Sequence, residues 1–209
     1  MEREEACAAI ALGIDIARDL VAAGNRAIVV GEMGIGNTTA ASALTAALLR
    51  LDPAAVTGRG TGIGDAALEA KIDVVRRAID VNRPDPDNPI GTLAAVGGLE
   101  IATLVGLILQ AAAGRTPLIL DGFITAAAAL VATAMCPALP ARLIASHRSS
   151  EPGHAAILAH LRLVPLLDLD LRLGEASGGV LALGLLDAAS ALRDEMATFE
   201  SAAVSGPAR

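Results

Sequence analysis

The sequence predicts an α/β fold: a doubly wound, mainly parallel sheet with helices on both faces. Three observations predict it. Short, continuous runs of β-branched and aliphatic residues recur along the chain. Each is followed by a polar, glycine-bearing loop, and each loop gives way to apolar residues at helical spacing. The 209 residues suffice for one well-buried domain. We expect that domain over residues 1–200, with 201–209 as an unstructured tail.

From Glu2 to Ala23, apolar residues at helical spacing (Ile10, Ile14, Ala17, Leu20) run up to Gly24, an amphipathic helix with a glycine stop. "RAIVV", Arg26–Val30, reads as a strand buried on both faces. The loop "GEMGIGN" follows, and Thr38–Leu49 returns to helix. "TGRGTGIGD", residues 57–65, carries too many glycines for a regular element and reads as a flexible or anion-binding loop. "LEAKIDVVRRAI" is helical, and "VNRPDPDNPIG", residues 81–91, with its three prolines, is a surface connection. Leu93–Ala113 is apolar and long enough to span a bilayer. Glu100 near its middle and the absence of basic or aromatic flanks favour a buried helix of an α/β core instead. "TPLILD" (116–121), "ARLIAS" (141–146) and "LLDLDLRL" (166–173) read as three further strands. Helices are expected after each of them, at 123–135, at 154–161 and up to about residue 197.

Composition narrows the function. Net charge is −7, aromatic residues are limited to two Phe, and no run of Lys or Arg appears, which argues against a nucleic-acid partner. The acidic N-terminus resembles no secretory or transit peptide, and two cysteines make no disulfide framework, so a cytoplasmic protein is expected. The acidic residues of 81–91 do not fit a calcium loop because Pro86 and Pro89 break its frame. His147, His154 and His160 lack metal-ligand spacing, and no G-x-S-x-G elbow is present. No metal and no cofactor are expected.

The candidate chemistry lies in the loops after the strands: 31–38, 121–123, 146–153 and 174–179. In a parallel sheet these share one edge, where ligands bind. Gly34 and Gly36 permit a tight turn, and the helix starting near Asn37 and Thr38 offers unpaired N–H groups to an anion. A P-loop would need a lysine where Asn37 stands, so a triphosphate is disfavoured and a monophosphate left open. The loop alone equally fits a plain strand-to-helix turn with a helix cap. Lys71 is the only lysine, and a solvated helix lysine is the ordinary reading of it. In "SHRSSEPGH", Ser146, Ser149 and Ser150 offer hydroxyls and Arg148 a cation. Glu175, in "RLGEASGG", sits where a strand end would partly desolvate a carboxylate and suit it to general-base work. A glutamate interacting with a helix N-terminus is the common alternative.

"GEMGIGNTTAA", "GRGTGIGD", "AAVGGLEIA", "LDGFITAAAAL" and "LRLGEASGG", in that order, resemble the nicotinate-nucleotide–dimethylbenzimidazole phosphoribosyltransferase family of cobalamin biosynthesis. The resemblance runs nearly end to end. It implies a Rossmann-like, three-layer domain with only part of a small helical subdomain. It also implies a homodimer that converts nicotinate mononucleotide and 5,6-dimethylbenzimidazole to α-ribazole 5′-phosphate and nicotinate. By the same resemblance Glu175 is the catalytic base. Gly34, Gly36, Asn37, Thr38, Lys71 and Ser149 would hold the phosphate. Glu32, Met33, Gly60, Asp121, Leu173 and Gly174 would line the nucleotide and base pockets. Family members carry a further region ahead of the first helix, which forms one wall of the base pocket, and this chain begins at that helix. Two other readings are a nucleotide-binding form without catalysis and a transferase for another lower-ligand base.

Overall fold

Three short strands carry the sheet: β1 (Ile28–Val30), β2 (Leu118–Leu120) and β3 (Leu143–Ala145), parallel and in spatial order β1-β2-β3. Ile28 stands opposite Leu118, and Leu118 opposite Leu143. The structure is a computed structural model and describes residues 1–204. Continuous aliphatic runs are what a sheet covered on both sides requires. Side chains alternate across each strand: Ile28, Val30, Leu118 and Leu120 join the main hydrophobic core. Val29 and Ile119 face the other way, towards the helix α9 (Ser177–Glu195), whose Gly179 lies directly against both.

The core side is built from α1 (Arg3–Ala22), α2 (Thr38–Leu49), α3 (Pro53–Val56), α4 (Asp65–Asn82), α5 (Pro89–Val96), α6 (Leu99–Ala113), α7 (Gly122–Met135) and α8 (Pro152–Leu161). With almost no aromatic side chains to fill space, the helices pack by close approach. Every residue of α7 from Gly122 to Ala132 is buried, as suits a narrow alanine-rich helix surrounded by others. Where α1 crosses α6, Gly13 faces the backbone of Thr103 and Gly106 faces that of Ile10, so closely that a Cβ at either glycine would overlap its neighbour.

Two expectations need correction. The window 93–113 is not one helix: Gly97 and Gly98 adopt extended backbone, ending α5 and starting α6. A glycine pair gives up helical propensity cheaply at that point, and no described helix is long and apolar enough to cross a membrane. The strand expected over 166–173 shrinks to a parallel bridge between His147 and Leu167. Leu166 and Leu167 still donate N–H groups to the carbonyls of Ala145 and Ser146 beside the end of β3. Beyond them Leu169 and Leu173 stay exposed, so the alternating leucines lack the covering layer a longer strand would require. Helical expectations elsewhere agree to within a few residues. Residues after α9 form turns, with the Val204 N–H donating to the Phe199 carbonyl. The remainder of the tail, 205–209, lies outside the described residues.

Candidate active site

The loops after β1, β2 and β3 meet at one sheet edge, as parallel topology requires, and the 174–179 turn joins them although no strand precedes it. Together they line a cleft that includes Glu32, Met33, Gly34, Thr38, Gly60, Asp121, Ser149, Leu173 and Gly174. Nine of the sequence-predicted residues therefore converge. The others, Gly36, Asn37, Lys71 and Glu175, sit in or beside the same loops without lining that cleft.

In the first loop Gly34 (φ +81°) and Gly36 (φ +89°) adopt the left-handed backbone that glycine tolerates, and the Gly34 N–H donates to the Glu32 carboxylate. Asn37 is the residue capping α2, but its side chain makes no capping bond; its Nδ2 reaches Glu100 Oε1 at 3.4 Å instead. The side chain expected to cap the helix thus leaves the first-turn N–H groups of α2 to other partners.

Lys71 is not the solvated lysine its helix suggests. Half-buried, it donates from Nζ to Thr38 Oγ1 and to the Gly58 carbonyl, each at 2.9 Å. Burial lowers its pKa below the ordinary lysine value, and the nearby Glu151 carboxylate opposes that shift. The ammonium therefore ties the start of α2 to the Gly58–Gly64 loop.

Glu151 was missed by sequence reading. It is buried, lines the cleft, and accepts the Gly60 N–H at 2.7 Å through Oε1, while Oε2 has no partner among the described residues. Placed between two serines and a helix-starting proline, it carried no signal beyond "loop". Arg148, offered as the cation of that loop, instead pairs with Asp168 at the surface, and Arg172 lines the cleft in its stead. Ser149 is held by its neighbours: its N–H donates to His154 Nδ1 at 2.9 Å, and its hydroxyl accepts the Glu151 N–H at 3.3 Å. His154 is buried and neutral, its pKa lowered to about 3 by burial, with His147 and Arg148 adding to the shift. Phe123, Ile124, Leu171, Met33 and Leu173 supply an apolar wall.

Glu175 departs from expectation in its surroundings. It is exposed rather than partly desolvated, and its backbone (φ +55°) and that of Ala176 (φ +66°) are both left-handed. Its N–H donates to the Glu32 carbonyl at 3.0 Å, which fastens the turn to the end of β1. Asp121, expected to face substrate, lines the cleft but commits both carboxylate oxygens to backbone N–H groups of α9 and the turn before it.

A family model described as a phosphoribosyltransferase matches residues 1–204. The chain belongs to this family. It is 53% identical over 205 residues to the nicotinate-nucleotide–dimethylbenzimidazole phosphoribosyltransferase of Chloroflexus aurantiacus, covering 98% of this chain and 58% of the relative. Against the enzyme of the same name from Halalkalibacterium halodurans it is 52% identical over 206 residues, with 99% and 58% covered. The crystal structure of CobT from Thermus thermophilus superposes with a TM-score of 0.93 at 49% identity, over 98% of this chain and 61% of that one. This member of the family thus spans somewhat more than half the length of the curated relatives it matches.

Proposed function

We propose that the protein transfers the phosphoribosyl group of nicotinate mononucleotide to 5,6-dimethylbenzimidazole, releasing nicotinate and forming α-ribazole 5′-phosphate in the cytoplasm. The observation that carries this reading is the convergence at one sheet edge of three parts. These are an anion cradle (Gly34, Thr38 and Ser149 on the cleft wall, with Gly36 and Lys71 beside it), an apolar wall fit for a flat heterocycle, and the exposed Glu175 carboxylate in the turn next to the cleft. The relatives' names supply the reaction.

In this reaction the cradle holds the 5′-phosphate at the start of α2. One benzimidazole nitrogen attacks the anomeric carbon from the face opposite nicotinate, forming the new C–N bond in the α configuration. The breaking bond returns its electron pair to the nicotinate ring nitrogen. Glu175 removes the proton from the other benzimidazole nitrogen, so charge does not build up on the acceptor. Holding donor and acceptor in line supplies much of the acceleration, and general-base help typically adds about 10²–10⁴-fold. The homodimer implied by the resemblance is supported by exposed Val180, Leu181, Leu185 and Leu192 on α9, and sedimentation velocity tests it.

The direct test is to incubate the protein with both substrates and assay for α-ribazole 5′-phosphate by chromatography and mass. Product with its stoichiometric nicotinate supports the reading. Nucleotide binding without product from any lower-ligand base sinks it.

A further inference from the structure

Glu175 poses a problem of placement. Its side chain is exposed and makes no hydrogen bond among the described residues, so nothing at the carboxylate holds it. Its orientation must come through the main chain. Two consecutive non-glycine residues in left-handed backbone persist only where the surroundings over-determine them. The surroundings here are specific. The turn docks against Gly31, where a Cβ would strike the Ala176 backbone. Asp121 Oδ2 accepts the Ala176 N–H at 3.1 Å, and Asp121 Oδ1 accepts the Gly179 N–H at 2.9 Å.

We infer that Asp121 is a positioning residue that fixes the turn carrying Glu175, with His147 as its buried support. The inference rests on the reading of Glu175 as the base; the anchoring itself does not. Asp121 follows β2 directly, and its own N–H is tied to the Val30 carbonyl at 3.0 Å, so its carboxylate stands on the sheet rather than on a mobile loop. Its side chain is fully buried. A buried carboxylate is tolerable only when its oxygens are well partnered, and N–H groups at a helix start are strong partners for it. His147 Nδ1 lies 3.4 Å from Asp121 Oδ1 and 3.0 Å from Ser146 Oγ, completing the set. Gly178 presses on the imidazole, and a Cβ there would overlap His147 Nδ1. The carboxylate thus reaches from the sheet to the peptide immediately after Glu175 while remaining on the cleft wall.

The test is a double-mutant cycle on the full chain, with amide hydrogen exchange alongside. Asp121→Asn replaces one acceptor oxygen by an NH₂ that cannot accept. Because a displacement of about 1 Å can cost on the order of 10² in rate, kcat should fall by about 10- to 100-fold while KM for nicotinate mononucleotide holds. In a Glu175→Gln background the same change should leave the residual kcat unaltered, because residues acting as one unit are non-additive. Exchange at residues 176–179 should quicken while β2 stays protected. An equal loss of kcat in both backgrounds, or unchanged exchange at Ala176 and Gly179, overturns the inference. If Glu175→Gln alone turns over like the parent, the base reading falls, and the exchange data still decide the anchor. Should Asp121→Asn fail to fold, Gly178→Ala displaces His147 from Asp121. It should reproduce the loss of kcat at constant KM; an unchanged kcat in that folded variant overturns the role of His147.

Discussion

Replacing Lys71 by Met tests the phosphate cradle most directly. Nζ spends two of its three N–H groups on Thr38 Oγ1 and the Gly58 carbonyl, leaving one for an incoming phosphate beside the start of α2. A hydrogen bond to a charged group is worth about 1.5–3 kcal/mol net, or roughly 10- to 150-fold in affinity at about 1.4 kcal/mol per decade. The half-buried site keeps the figure out of the range of exposed ion pairs, which contribute about 0–1 kcal/mol. Isothermal titration with nicotinate mononucleotide should show that loss, and titration with the phosphate-free riboside should show none. The riboside comparison separates loss of the phosphate contact from damage to the loop. Because burial lowers the pKa of Lys71, nucleotide affinity should hold at neutral pH. It should decline as pH rises through the lowered value, earlier than an exposed lysine would allow. Lys71→Arg, with its permanently charged guanidinium, should abolish that alkaline decline. Equal nucleotide affinity in Lys71→Met and parent, or equal losses for nucleotide and riboside, would refute the reasoning.

Three further outcomes are expected. Glu175→Gln should keep nucleotide affinity and lose about 10²–10⁴ in turnover, read by initial rates and titration on the same sample; unchanged turnover removes Glu175 as base. His154, neutral in the fold with its pKa near 3 against an ordinary 6.5, binds a proton more readily unfolded, so its stabilising effect is complete above 6.5 and lost as pH falls towards 3. Urea unfolding should therefore lose about 2 kcal/mol from this group between about pH 7.5 and pH 5; His154→Asn, whose Oδ1 can accept the Ser149 N–H, should flatten the slope, and parallel slopes would count against the burial argument. Gly13→Ala would drive a methyl into the Thr103 carbonyl where α1 crosses α6. Overpacking of this kind costs about 1–3 kcal/mol, equivalent to about 2–4 °C in Tm per kcal/mol for a chain this size; calorimetry showing an unchanged Tm would mean that the helices part without strain.

Much of this protein was legible in the sequence because local chemistry fixes it. Aliphatic runs wrote β1, β2 and β3, glycine ended α1, and Gly34 and Gly36 marked a turn that L side chains rarely make. Parallel connectivity then required the loops after the strands to share an edge, which brings Glu32, Thr38, Asp121 and Ser149 into one cleft. The family motifs added Lys71 and Glu175. Tertiary structure decided what depends on neighbours distant in sequence. The leucines of 166–173 alternate as a strand would, yet only Leu166 and Leu167 find β3 to pair with, so the rest lack a covering partner. Glu175 is likewise open to solvent, which its apolar sequence neighbours do not foretell. Lys71 reads as a surface lysine until α4 packs on α2 and brings its ammonium within reach of Thr38. Glu151 acquires its role only by accepting an N–H from a residue 91 positions away, and Asp121 from residues 55 and 58 positions away. Helical and strand periodicity record which face of an element is apolar. The partner of a buried carboxylate is set by the packing of whole elements, and no local pattern encodes it.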